Sequence, residues 1–277
     1  MRKKLSCLPV SIYPLMASGE ISIVQWSQEA EKIGFDYFDL GESAVAGLSE
    51  DQLKSMRGKC ALPFNMLSAY TDFTHPDRGV RRESVAAAKE KIRKTAALGG
   101  KFIRLPGGAA HDEALADTKE AINNMCACFE ECIKEADKYG IRIVFENDSK
   151  PPTWKRPNFC FDIGRFLNTW EELKKLSVGF NYDTGNAFFL EDWRTILDAV
   201  LDRLESLHIT DYNYKNGNLK TTVFGEGTVP IKEMLTIIKD SGFDGMISME
   251  DATFQGLKGT ARSYAYVRRI CDEIFSK

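Results

Sequence analysis

The sequence predicts a single (β/α)8 TIM barrel over residues 1–277, and three observations predict it. Short apolar runs alternate with longer amphipathic segments eight times along the chain, the pattern of strand–helix units that build a parallel sheet. The apolar runs do not alternate with polar residues, as expected when both faces of a sheet are covered. No break in composition and no linker divides the chain. An open doubly wound sheet has the same element order, but it needs a Gly-rich phosphate turn after an early strand. The first such turn reads Tyr13-Pro14-Leu15-Met16.

The elements follow in order. Residues 5–12 are the first strand, apolar and ended before Pro14. Ser22 is placed to cap a helix to Ile33, because Ile23, Trp26, Ala30 and Ile33 recur on one face. Gly34 ends that helix, and residues 35–40 are the second strand. Ser49 and Gln52 form a capping box for a short helix to Arg57. Residues 62–67 are the third strand, followed by a loop with Tyr70, Asp72, His75 and Pro76. A long helix over 80–98 is stopped by Gly99-Gly100. Residues 101–105 are the fourth strand, and Pro106-Gly107-Gly108 after it leaves backbone bare enough to approach a ligand. Asp117 caps a helix to Tyr139, and residues 141–145 are the fifth strand. A Pro-rich loop over 147–159 carries Asp148, Lys150, Trp154, Lys155 and Arg156. Helix 162–175, strand 178–182, helix 193–199 and strand 204–209 come next. A polar loop over 211–227 precedes a helix opened by Pro230 and reaching Lys239. Residues 245–249 are the eighth strand and 259–275 the last helix.

Composition narrows the function classes. Net charge is -3, from 37 basic and 40 acidic residues, so nothing favours nucleic acid or an anionic membrane as partner. No apolar run approaches the roughly 20 residues of a membrane span. Met1-Arg2-Lys3-Lys4 is basic like the start of a signal peptide, but Pro9 and Ser11 interrupt the apolar stretch that must follow. The seven cysteines have no paired zinc spacing. Of Cys126, Cys128 and Cys132, only the last two share a helix face. These are expected to be buried thiols in a reducing compartment, which points to the cytoplasm.

Chemistry concentrates at four strand ends. Ile141-Arg142-Ile143-Val144-Phe145-Glu146, Val178-Gly179-Phe180-Asn181-Tyr182-Asp183, Leu204-Glu205-Ser206-Leu207-His208 and Met246-Ile247-Ser248-Met249-Glu250 each end in a group able to bind a cation. Active sites of such barrels form at the C-terminal strand ends. Neighbouring strands lie about 4.8 Å apart, so Glu146, Asp183, His208 and Glu250 can converge on one ion. Three carboxylates and an imidazole suit a hard-to-borderline divalent metal. Singly, each would pass as a loop residue, a helix cap or a core histidine; their joint occurrence on consecutive strands supports the metal reading.

Phe145-Glu146-Asn147, Tyr182-Asp183-Thr184-Gly185-Asn186, Leu207-His208-Ile209-Thr210-Asp211, Gly225-Glu226-Gly227 and Ser248-Met249-Glu250 together resemble the xylose-isomerase-like barrel superfamily. That group includes sugar isomerases and epimerases, inosose and dehydroshikimate dehydratases, and endonuclease IV. The resemblance implies one divalent ion (Mn, Mg, Co or Zn) held by Glu146, Asp183, His208 and Glu250. It also implies that Glu146 and Glu250 act as an acid–base pair. The chemistry is coherent: a metal stabilises an enediolate, and a carboxylate on each face removes and returns the proton.

The chain departs from particular members. Asn186 stands where tagatose-type epimerases and endonuclease IV have a histidine, and Pro152 where ketose epimerases have a second carboxylate. Asp148 replaces the lysine of xylose isomerase, and three histidines in all are too few for a three-metal nuclease.

Weaker candidates for substrate contacts are His75 and His111, able to bond a hydroxyl or shuttle a proton but equally readable as surface-loop histidines; Arg104, able to meet an anion or to form a salt bridge inside the barrel; Asn147, Asn186 and Trp154; and Glu226, equally readable as a turn residue between two glycines. Trp154, flanked by Lys150, Lys155 and Arg156, has the chemistry to stack on a sugar ring, but a solvated loop is the reading this polar segment favours. The expectation is a metal-dependent isomerase or epimerase of a small sugar, sugar phosphate or polyol-derived keto compound. A dehydratase or a noncatalytic sugar-binding barrel is the alternative. Dimers and tetramers are frequent among similar barrels.

Overall fold

The computed structural model describes residues 2–148, 156–190, 192–215 and 218–275. Its strands are β1 (Leu5–Leu8), β2 (Phe38–Gly41), β3 (Phe64–Ser68), β4 (Phe102–Arg104), β5 (Arg142–Glu146), β6 (Gly179–Asp183), β7 (Leu204–Ile209), β8 (Tyr212–Lys215), β9 (Asn218–Thr221) and β10 (Met246–Glu250). Eight of them form one parallel sheet in the order β1-β10-β7-β6-β5-β4-β3-β2. At the seam, the Leu5 carbonyl accepts the N–H groups of Asp36 (2.9 Å) and Tyr37 (3.2 Å), and the Leu5 N–H donates to Asp36 Oδ2 (3.0 Å). The sheet is thereby nearly closed into a (β/α)8 TIM barrel.

The helices are α1 (Tyr13–Ala17), α2 (Ile23–Ile33), α3 (Glu50–Arg57), α4 (Arg78–Leu98), α5 (Asp112–Ala116), α6 (Thr118–Asp137), α7 (Ile163–Leu173), α8 (Thr184–Phe189), α9 (Trp193–Val200), α10 (Ile231–Asp240) and α11 (Gly256–Phe275). Local chemistry starts them. The expected capping box of Ser49 with Gln52 opens α3, and Ser22, expected as a cap, forms a capping box with Gln25 on α2. Asp117 accepts the Glu120 N–H at 3.0 Å to open α6. Such caps contribute about 1 kcal/mol each. Helix α4 begins two residues before the expected start, because the Asp77 carboxylate takes the Gly79 (2.5 Å) and Val80 (3.2 Å) N–H groups. Pro230 is the residue before α10 rather than its first.

The polar stretch over 211–227 differs from its reading as a loop. It holds the antiparallel β8–β9 hairpin. Asn216-Gly217, the tight-turn dipeptide of many hairpins, is the signal in the sequence from which it could have been read. No helix among the described residues is long and apolar enough to cross a membrane.

Strand alternation sorts the core into two layers. Outward side chains of β5 and β6 meet α6 and α7. Phe145 stacks on Trp170 (6.4 Å between centroids, 7° between planes), and Phe180 meets Trp170, Phe166 and Phe145 at 5.0–6.0 Å. The next residue along each strand turns inward, and there the barrel is polar. Asp39 accepts from Ser248 Oγ (2.5 Å), Asn65 Nδ2 (3.1 Å) and the Met66 N–H (3.0 Å). Ser206 Oγ donates to Asn181 Oδ1 at 2.6 Å. Barrel interiors are more often filled by branched aliphatic side chains. This polar layer instead supports the charged groups above it.

Candidate metal centre

Glu146, Asp183, His208 and Glu250 close β5, β6, β7 and β10 or lie one residue short of the end. The parallel register sets Asp183 opposite His208, Glu146 opposite Asn181 and Ser248 opposite His208. One ligand-type atom from each of the four lies within 4.8 Å of those of the other three. All four are buried, from 0% exposed for Asp183 and His208 to 4% for Glu250. His208 Nδ1 is 2.8 Å from Glu146 Oε2 and 3.3 Å from Glu250 Oε2.

Neighbouring residues orient each ligand-type group. Asn181 donates to Glu146 Oε2 and in turn receives the Ser206 hydroxyl. Arg104 Nε lies 3.7 Å from Glu146 Oε1, and its Nη1 the same distance from Asp148. Asp183 Oδ1 accepts the Asn186 N–H (2.7 Å), capping α8, and the Thr210 hydroxyl (2.7 Å). Asn147 donates to the Asp183 carbonyl and accepts its N–H, both at 2.9 Å. That reciprocal pair ties the ends of β5 and β6 together.

The electrostatics suit a cation. Burial by itself would raise the Glu146 pKa, but Arg104 and His208 outweigh it and hold the carboxyl below its ordinary value. Burial would lower the His208 pKa, yet Glu146 and Glu250 push it up to about 10. His208 Nε2 finds no hydrogen-bond partner among the described residues, and a buried orphan of this kind costs about 1–3 kcal/mol. Anionic carboxylates around an imidazole whose Nε2 has no hydrogen-bond partner fit a divalent ion, which would bind the imidazole in its neutral form beside charged carboxylates.

A pH dependence follows. In the metal-free protein, protonated His208 contributes stability that is complete below the free imidazole value of about 6.5. That contribution is lost as pH rises through about 10. A cation bound at His208 would displace the proton. Between pH 7 and 9 its apparent affinity is therefore expected to rise about tenfold per pH unit, with about one proton released per ion. Calorimetry in buffers of different ionisation enthalpy measures that release. Binding that releases no proton would contradict it.

The other candidate residues fall in separate places. Arg104 is 2% exposed, and its guanidinium lies over the Tyr70 ring at 4.9 Å. Asn147 and Asn186 are buried beside Asp183. His75 and His111 form another group with Asp72, away from the four. His111 Nε2 is 2.8 Å from Asp72 Oδ2, and His75 Nδ1 accepts the Asp77 N–H at 3.1 Å. The His111–Asp72 contact ties the loop after β3 to the loop after β4. Arg156 Nη1 reaches the Ala110 carbonyl (3.4 Å) and Asp112 (3.5 Å). Glu226 is exposed and pairs with Arg262. Trp154, Lys150 and Lys155 lie outside the described residues.

The Gly225-Glu226-Gly227 run serves Asp211. The Asp211 carboxylate accepts N–H groups of Gly225 (2.8 Å), Gly227 (3.1 Å) and Val229 (3.3 Å). A Cβ on Gly227 would collide with that carboxylate, and Gly225 has φ +88°, where glycine is favoured.

Above the cluster opens a cavity of about 450 Å³. Of the four ligand-type residues, Glu250 lines it; Tyr13 and Tyr70, and Tyr212 and Leu219 of the hairpin, do as well. None of these four was legible as a site residue, because each enters from a loop or hairpin whose position the sheet decides.

The profile of a family described as xylose isomerase-like TIM barrel matches residues 27–270. Among solved structures, a D-tagatose 3-epimerase-like protein superposes with TM-score 0.77 at 15% identity, over 99% of this chain and 98% of its own. An IolI protein with a bound zinc atom superposes with TM-score 0.75 at 16% identity, over 99% of this chain and 100% of its own. A probable 3-DHS dehydratase, AsbF of Bacillus anthracis, superposes with TM-score 0.71 at 15% identity, over 99% of each chain. At these identities the likeness is one of fold.

Proposed function

The chain belongs to the xylose isomerase-like TIM barrel family, and from that premise we propose that it is a divalent-metal-dependent isomerase or epimerase of a small sugar or related hydroxy-ketone. One observation carries the reading: Glu146, Asp183, His208 and Glu250 converge within 4.8 Å beneath a cavity into which Glu250 opens. The epimerase-like and zinc-bearing relatives support it.

Glu146, Asp183, His208 and Glu250 would hold the ion. When bound, it supplies Lewis acidity to a carbonyl oxygen beside the exchanging C–H. The chain's own residues do the rest. Glu250 stands at the cavity wall, where its carboxylate can take a proton from carbon. Glu146 sits deeper, kept anionic by Arg104 and oriented by Asn181, and serves as the second carboxylate of the pair.

The test is solvent deuterium incorporation at carbon when the Mn-loaded protein meets a panel of ketoses, followed by NMR. Incorporation that stops on chelation, with a new epimer or aldose formed, is the expected result. Loss of water with an enol or diketone product would move the reading to the dehydratases. No exchange across the panel would refute it.

A further inference from the structure

The cavity above the cluster is lined by side chains of two kinds. Glu250 and Arg104 are charged, and Ser43, Ser68 and Thr221 carry hydroxyls. Leu8 and Val10 from the end of β1, Leu219 from β9, and Phe254 after β10 are apolar. We propose that these apolar side chains form a subsite for an apolar substituent, so that the substrate is a hydroxy-ketone carrying an aryl or alkyl group rather than a fully hydroxylated chain. The proposal rests on the isomerase reading above and deepens it.

Three observations carry it. First, Glu250 and the apolar side chains line the same cavity, so one ligand there can meet both. Its volume of about 450 Å³ lies in the range of sites for drug-sized ligands. Second, Leu8, Val10 and Leu219 have no side-chain hydrogen-bonding atoms. A polyol laid against them would leave hydroxyls unpaired on being desolvated, which is unfavourable, whereas an apolar group loses nothing there and gains burial.

Third, Phe254 is held at the rim in an unusual way. It is 60% exposed and has φ +53°, unlike any other described non-glycine residue. That left-handed backbone is a genuine outlier for a bulky side chain. Surrounding contacts enforce it. Ser11 Oγ accepts the Phe254 N–H at 2.7 Å, Ser11 is bonded to the Asp251 carbonyl through its N–H (2.8 Å) and hydroxyl (3.1 Å), and Thr260 Oγ1 donates to Asp251 Oδ2 at 2.5 Å. A network that holds the strained backbone carrying an exposed aromatic ring beside the cavity is the kind of local strain that persists where a ligand is handled.

The probes are 2-hydroxyacetophenone and dihydroxyacetone. Both present a hydroxy-ketone, and the first adds a phenyl ring. Calorimetric titration of the Mn-loaded protein is expected to show at least tenfold tighter binding of 2-hydroxyacetophenone. Phe254→Ala, and independently Leu219→Thr, should each shrink that ratio at least threefold. Equal affinity for the two probes, or a ratio unmoved in both variants, overturns the apolar subsite while leaving the isomerase reading intact. Failure of both probes to bind counts against the isomerase reading itself, and the subsite falls with it.

Discussion

Replacing Glu250 by Gln is expected to lower turnover and solvent deuterium exchange by about 10²–10⁴-fold, the usual contribution of a positioned acid or base. Gln keeps the length of the side chain and an oxygen that can ligate, but it cannot accept a proton from carbon. The change reaches the cavity directly, because Glu250 is the cluster residue at its wall. It also removes one of the two carboxylates beside His208 Nδ1, so metal content must be measured alongside. Glu146→Gln should differ in kind. Glu146 accepts from Asn181 and faces Arg104 and His208, and an amide there presents N–H groups to donors. Loss of metal is expected to accompany loss of activity in that variant. Wild-type exchange in metal-loaded Glu250→Gln would remove Glu250 from the chemistry.

The largest stability effect is expected at Trp170. Trp170→Ala should cost about 3–5 kcal/mol, as for other buried aromatics cut to alanine. Trp170 is fully buried, stacks on Phe145, meets Phe180 edge-on at 5.0 Å, and donates its indole N–H to the Ala199 carbonyl at 2.9 Å. The variant leaves a cavity and strips that carbonyl of its donor. Since 1 kcal/mol moves Tm by about 2–4 °C in domains of this order of size, a fall of roughly 6–20 °C is expected by calorimetry. Phe145 and Phe180 are the sequence neighbours of Glu146 and Asn181, so repacking behind the sheet should also weaken metal binding. A cost below about 1 kcal/mol would mean that the site relaxes around the loss.

Much of the fold was legible because its signals are local. Ser22, Ser49 and Asp117 cap their helices where the sequence places them, since a cap and its N–H partners lie within three residues. Apolar runs at regular intervals marked all eight barrel strands. The β8–β9 hairpin was missed because its segment is polar and was read as a loop from composition alone. The short helices α1, α5 and α8 were missed because five or six residues carry too little periodicity.

The candidate site divides the same way. Four groups able to bind a cation stand at strand ends in the primary structure. Strand period two then requires that each face opposite its outward neighbour, as Glu146 does beside Phe145. Which oxygen each presents, and what holds it, was not legible. Asn181 reaches Glu146 across 35 positions, and Thr210 reaches Asp183 across 27.

By itself, then, the sequence determined the element order, the caps, the apolar faces and the identity of the groups at the barrel mouth. Each of these rests on contacts within a few residues or on side-chain chemistry. Tertiary structure decided that Asp72 pairs with His111, that the Gly225-Glu226-Gly227 run cradles Asp211, and that Phe254 stands strained above the cavity. Those outcomes depend on register and sheet closure, which bring together residues that no local pattern relates.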